Sequence, residues 1–333
     1  MDDIFHRQQG DRQPPPEADL AAKLNGLEPY LAGRILGQGH VIPLIAELVR
    51  QAENGLTNSQ QPRCKLLFLG PTGVGKTETA EAISDYIFGP NKLHVLDMSE
   101  FQHPDAVKTL IGDHSGAIGR LGEILAKHPG PKVILFDECE KAYRDIINLF
   151  LQILDKGRIT VGFNTTYDLS NCYIILTSNV GSAAIMNAKR TNATRLIEHC
   201  KAEFGRVFRP ELIERFQDFF VFRKLPAEIQ YRIAELEIKK ELAHLASKSY
   251  RLTYGPPVVN FLYQVGFHKL YGARPLRNKV QLHIRAAVSN ALLCHQDITC
   301  GELTVKAGHD GLELRSTNPQ PKESKVNECI LSV

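Results

Sequence analysis

Between residues 30 and 222, short continuous apolar runs alternate with stretches in which apolar residues return at helical spacing. The runs Lys65–Leu69, Leu93–Asp97, Lys132–Asp137, Cys172–Thr177 and Phe219–Phe222 read as strands buried on both faces. Between them, Glu78–Ile87 places Ala80, Ile83 and Ile87 on one side, and Arg144–Leu154 does the same with Ile146, Ile147, Phe150, Ile153 and Leu154. Strands in alternation with helices predict an α/β domain over residues 29–222, a five-stranded parallel sheet with helices on both faces. Sheets of this kind bind ligands at the carboxyl ends of their strands. From Leu225 the pattern changes. Glu228–Leu245 and Arg274–Leu293 are long helical stretches, and Glu302–Val305 and Leu312–Leu314 are short strands around a polar turn. Residues 223–315 therefore predict a second, small and mainly helical domain. Residues 1–28 are polar and Pro/Gln-rich and predict a flexible segment; 316–333 predict a polar tail.

Composition narrows the setting. A chain of 333 residues with 43% hydrophobic and 23% charged residues has the make-up of a soluble globular protein. A net charge of +3 gives no basic field for nucleic acid or an anionic membrane. No apolar run reaches the length of a membrane span. The start Met-Asp-Asp-Ile-Phe-His-Arg lacks the apolar stretch of a secretory leader. Seven cysteines without CxxC pairing or metal spacing suit a reducing cytoplasm.

The candidate chemistry stands at the predicted strand ends. Gly70-Pro71-Thr72-Gly73-Val74-Gly75-Lys76-Thr77 fits G-x-x-x-x-G-K-[ST], between a predicted strand and a predicted helix. Glycines let backbone N–H groups curl around an anion, and the helix start adds partial positive charge. In this pattern Lys76 reaches the β- and γ-phosphates of ATP, and the Thr77 hydroxyl ligates Mg²⁺. The strand at Lys132 ends in Asp137-Glu138. Adjacent carboxylates at the end of a buried strand call for a cation: Asp137 suits Mg²⁺ through its water shell, and Glu138 suits a base that activates water. Thr177-Ser178-Asn179 ends another strand, where the Asn179 amide can bond a phosphate and the attacking water.

This order resembles an AAA+ ATPase, and the wording resembles the second ATPase module of the Clp-type disaggregases and unfoldases such as ClpB. The matching stretches include 70–78, 97–101, 136–142, 151–158, 176–182, 208–215 and 271–277, within about residues 29–308. The resemblance implies that Ile35 and Leu36, in Arg34-Ile-Leu-Gly-Gln38, pack on adenine. It implies that Asn179 is a first sensor of the γ-phosphate, Arg215 an arginine finger for the neighbouring subunit, and Arg274 a second sensor on the lid. It further implies a ring homo-oligomer, of six in this family, acting on protein substrates.

The chain departs from the family at Gly116-Ala117-Ile118-Gly119, where threading members carry Gly-Tyr-Val-Gly. Either the grip on substrate is weaker, or Ile118 supplies it; Phe163, in the second pore-loop region, is another substitute contact. No peptidase-docking tripeptide follows Ser182. Two functions stay open: a ring ATPase that remodels proteins, and an ATP-dependent assembly switch or scaffold. A nucleic-acid motor has no basic stripe to support it.

Overall fold

The computed structural model describes residues 17–113, 116–162, 164–187, 193–216, 218–267, 272–294, 299–308 and 310–316. Two compact units contain them: one runs to Pro71 and resumes over Gly75–Lys224, and the other holds Thr72–Val74 and the chain from Leu225.

The first unit opens with α1 (Glu17–Arg34) and α2 (Ile42–Glu53), then β1 (Cys64–Leu69), α3 (Lys76–Phe88) and β2 (Leu93–Asp97). Helices α4 (Ala106–Ile111) and α5 (Gly119–Lys127) precede β3 (Val133–Asp137) and α6 (Arg144–Lys156). A hairpin of β4 (Arg158–Val161) and β5 (Thr165–Asp168) leads to β6 (Tyr173–Ser178). Short α7 (Ser182–Asn187), α8 (Ala193–Val207) and α9 (Pro210–Ile213) then lead to β7 (Phe219–Val221). The sheet order is β2–β3–β6–β1–β7 and every pairing is parallel. Each strand lies within a residue of its predicted span. The runs Leu66–Leu69, Val133–Phe136 and Tyr173–Leu176 are almost wholly enclosed, which is why they carry no polar alternation.

One expectation needs correction here. The segment predicted flexible through residue 28 is helical from Glu17, and Leu24, Leu27 and Leu31 are buried at spacings of three and four; residues 1–16 lie outside the described residues. The second loop region is a paired hairpin, with Val161 opposite Thr165.

The edge strand β7 is finished by side chains. Gln38 Nε2 donates to Arg223 O at 2.9 Å, and Arg223 N donates to Gln38 Oε1 at 3.0 Å. His40 Nε2 donates to Val221 O at 2.9 Å, a carbonyl being able only to accept.

The second unit contains α10 (Ala227–Ala246), β8 (Arg251–Tyr254), α11 (Pro256–Gly266), α12 (Leu276–Cys294), β9 (Cys300–Val305) and β10 (Leu312–Ser316). Its sheet runs β10–β9–β8. Ala234, Ile238, Leu262, Val280, Ile284 and Leu303 form its core. The sequence indicated α10, α12, β9 and β10 but neither β8 nor α11. The buried Glu241 of α10 is matched by Arg285 of α12, whose Nε and Nη2 donate at 2.7 and 3.2 Å. Among the described residues no helix is long and apolar enough to cross a membrane.

Candidate nucleotide site

The turn after β1 comes too close to its neighbour for a side chain. Gly70 has φ 147°, and a Cβ there would lie 2.6 Å from Phe222 O. Gly75, at φ 105°, precedes α3, and a Cβ on it would meet Ile35 Cγ2 at 3.6 Å. Ile35 is buried and Leu36 half-buried.

Lys76 is the first residue of α3 and is only 7% exposed. Its ammonium donates to Gly70 O, to Pro71 O at 2.9 Å and to Asn179 Oδ1 at 2.9 Å. Burial pushes its pKa down to about 8, against the opposing pull of Asp137, Glu140 and Glu138. Thr77 follows, exposed on the first turn of the helix.

Register brings the other groups to the same end of the sheet, since Leu69 pairs with Ser178 and Phe136 with Leu176. The Thr177 hydroxyl donates to Asp137 Oδ1 and accepts Glu138 N at 3.0 Å. It thereby fixes both acids to β6. Glu138 takes a left-handed conformation at φ 55°. Its Oε1 accepts Asn179 Nδ2 at 3.2 Å, and its Oε2 pairs with Lys141 Nζ. Hydrogen bonding to Glu138 holds the Lys141 pKa above its ordinary value. Glu140 accepts Asn179 N at 3.1 Å through Oε1, while its Oε2 is buried with no partner among the described residues. The single amide of Asn179 thus links the Lys76 ammonium to the Glu138 carboxylate. An ammonium facing two carboxylates across a cradle of glycines suits a polyanion that brings a divalent cation with it.

Gly70, Pro71, Lys76, Asp137, Glu138 and Asn179, all expected from the sequence, are brought together. Arg215 is not among them: half-buried after α9, it pairs through Nε with Asp155 Oδ1 at 2.7 Å. Arg274 lies in the second unit, exposed just ahead of α12. Thr177, Glu140 and Lys141 were missed as site residues. The only signal for them was their place within strand-end stretches already singled out. Arg34, in the adenine-packing segment, spends its guanidinium on α3, contacting Glu78 at 2.7 Å, Glu81 at 3.3 Å and Asp85 at 2.6 Å.

In the altered loop Ala117 is exposed, while Ile118 packs against the core. A Cβ added to Gly122 would meet Ile118 Cβ at 3.0 Å and Val161 Cγ2 at 3.2 Å. The backbone is tied as well: Asp113 N donates to Ala117 O at 3.1 Å, and Gly162 N to Ile111 O at 2.8 Å. Phe163 lies outside the described residues.

Both units are similar to known proteins. Residues 61–219 match the family "AAA domain (Cdc48 subfamily)", and residues 225–305 match the C-terminal, D2-small domain of ClpB protein. Chaperone protein ClpB 1 of Thermosynechococcus vestitus is 34% identical over 302 residues, 87% of this chain and 34% of the relative. Chaperone protein ClpB 1 of Parasynechococcus marenigrum is 35% identical over 300 residues, 88% of this chain and 35% of its own. Chaperone protein ClpB4, mitochondrial, of Arabidopsis thaliana is 35% identical over 284 residues, 81% of this chain and 29% of its own. The chain spans about a third of the length of these relatives. It belongs to the AAA+ ATPases of the Clp family, as an AAA domain followed by a small domain of the ClpB second-module type.

Proposed function

We propose that this chain binds Mg–ATP at the strand ends of its first unit, hydrolyses it as a ring of six, and uses the cycle to remodel protein substrates. The observation that carries the reading is the bridge of Lys76, Asn179 and Glu138, which couples the group suited to phosphate to the group suited to water. The residues present fit the cofactor. The buried ammonium of Lys76 would meet the β- and γ-phosphates, with Ile35 and Leu36 beside adenine and Gly70–Gly75 supplying backbone N–H donors. Thr77 and Asp137 would hold Mg²⁺, Asp137 through water. The bound metal would supply neutralisation of phosphoryl charge. Glu138 would take the proton of the attacking water, Asn179 would orient that water, and Arg215 and Arg274 would add positive charge. The soluble, reducing, cytoplasmic setting expected from the sequence belongs to the same proposal.

The test is Glu138→Gln, which keeps the shape of the side chain and loses its basicity. The variant should bind ATP and assemble but hydrolyse at least a hundredfold more slowly. Single-turnover hydrolysis within a few-fold of the parent would remove Glu138 from the role of base.

A second reading, an ATP-dependent switch or scaffold with little threading, is favoured by one observation. Ile118 is engaged in packing and Ala117 offers only a methyl group where a grip is expected. Stimulation of ATP turnover by an unfolded protein supports the remodelling reading. Turnover indifferent to unfolded protein supports the switch, and stimulation by DNA alone would overturn both.

A further inference from the structure

Arg215 has a fixed place in its own chain. Its Nε lies 2.7 Å from Asp155 Oδ1 of α6, with the two side chains 39% and 33% exposed. The contact is ionic: Nε is buried and its hydrogen is not aligned on the carboxylate. No bond engages the two terminal nitrogens among the described residues, and they are the ones able to meet two phosphoryl oxygens side by side. A third charge belongs to the cluster. Lys65, near the start of β1, lies close enough to both for Asp155 to favour its charged form and Arg215 to oppose it, beneath the larger effect of burial. Its Nζ donates to Gln61 at 2.8 Å, so the side chain leans back from the strand, away from the phosphate loop. Lys65 and Gly70 are five residues apart on an extended chain, about 16 Å. Arg215 is thus stationed near the start of β1, at the end of that strand opposite its own phosphate loop.

We propose that Asp155 is the positioning residue for Arg215. It holds the guanidinium by the Nε side, offsets the repulsion from Lys65, and leaves the terminal nitrogens directed outward for the neighbour's nucleotide. This rests on the reading of Arg215 as a finger acting across subunits. Without the carboxylate, Lys65 and Arg215 face each other as like charges and the finger is displaced.

The experiment compares Asp155→Asn, Asp155→Glu, Arg215→Ala and the double variant Asp155→Asn/Arg215→Ala, at protein concentrations where assembly is complete. Asp155→Asn should lower kcat about fivefold, the worth of a half-exposed ion pair, with KM for ATP unchanged. Asp155→Glu should recover at least half of the loss. In the Arg215→Ala background Asp155→Asn should change nothing further. An Asp155→Asn defect of equal size in both backgrounds, or a change in KM rather than kcat, would make Asp155 merely structural and overturn the proposal. A rise in kcat would overturn it in the other direction, making Asp155 a restraint on the finger. If Arg215→Ala itself leaves kcat unchanged, the finger reading fails first and the proposal falls with it; if Arg215→Ala is severe and Asp155→Asn is silent, only the proposal fails.

Discussion

Replacing Lys76 with Met tests the electrostatics of the site before any nucleotide is added. In the folded chain burial holds the Lys76 pKa at about 8, below the ordinary 10.5 it regains on unfolding. Below pH 8 both states keep the proton, so Lys76 adds no pH dependence. Between pH 8 and 10.5 the folded chain gives up its proton while the unfolded chain keeps it, and the parent gains stability as pH rises. At about 1.4 kcal/mol per pH unit, the gain relative to Lys76→Met reaches about 2.5 kcal/mol by pH 10. Urea unfolding of both proteins, nucleotide-free and with chelator, at half-unit steps from pH 7 to 10 measures the difference. Titrations of other groups cancel because they are shared. Parallel curves would refute the reasoning. A parent that holds level above pH 8 and loses ground only as pH nears 10.5 would mean that Asp137, Glu138 and Glu140 outweigh burial. Affinity should move the opposite way: a non-hydrolysable ATP analogue should bind the parent about fivefold more weakly at pH 9 than at pH 8 if only the ammonium form binds it.

Lys141→Met frees one Glu138 oxygen, and should raise basal hydrolysis about two- to fivefold with KM unchanged; a fall in kcat would show that Lys141 assists the base. Thr177→Val unties Asp137 and the Glu138 backbone together, and should cost about 1–3 kcal/mol in unfolding free energy and at least tenfold in kcat; a loss of stability alone would separate the tie from the chemistry. Ala117→Tyr should increase ATP-driven loss of fluorescence from a tagged reporter with basal turnover unchanged; a parent that already unfolds the reporter equally well would defeat the reading of a weak grip. Ile118→Ala should cost about 1–2 kcal/mol in thermal or urea unfolding, because Ile118 packs beside Gly122 and Val161; an unchanged midpoint would mark it as a free surface residue.

What the amino-acid string revealed was local. The phosphate loop is contiguous, and strands buried on both faces write themselves as unbroken apolar runs, so the sheet and the groups at its ends were legible. Thr177 was visible as a strand end, but its hold on Asp137 depends on the pairing of β3 with β6, about 40 residues apart in the chain. Lys141 meets Glu138 across the short 3₁₀ turn Cys139–Lys141, entered through a left-handed Glu138, a conformation a glutamate does not advertise. Helix α1 was hidden by a polar, proline-rich flank, although Leu20, Leu24, Leu27 and Leu31 keep helical spacing. Helix α11 begins with Pro256-Pro257, which reads as a loop but is well tolerated in a first turn, where those N–H groups have no helical partner.

Gln38 and His40 have a consequence for how copies of this chain can meet. A strand at the border of a sheet is a template onto which another chain can add, building sheets that continue from molecule to molecule. Here that template is spent. The Gln38 amide occupies both groups of Arg223 as a neighbouring strand would, and His40 takes the carbonyl of Val221. A further strand would have to displace two side chains to gain the bonds they already make. Copies that gather at this side must therefore do so through side chains, which can separate and re-form, rather than through a shared backbone ladder that would lock them together.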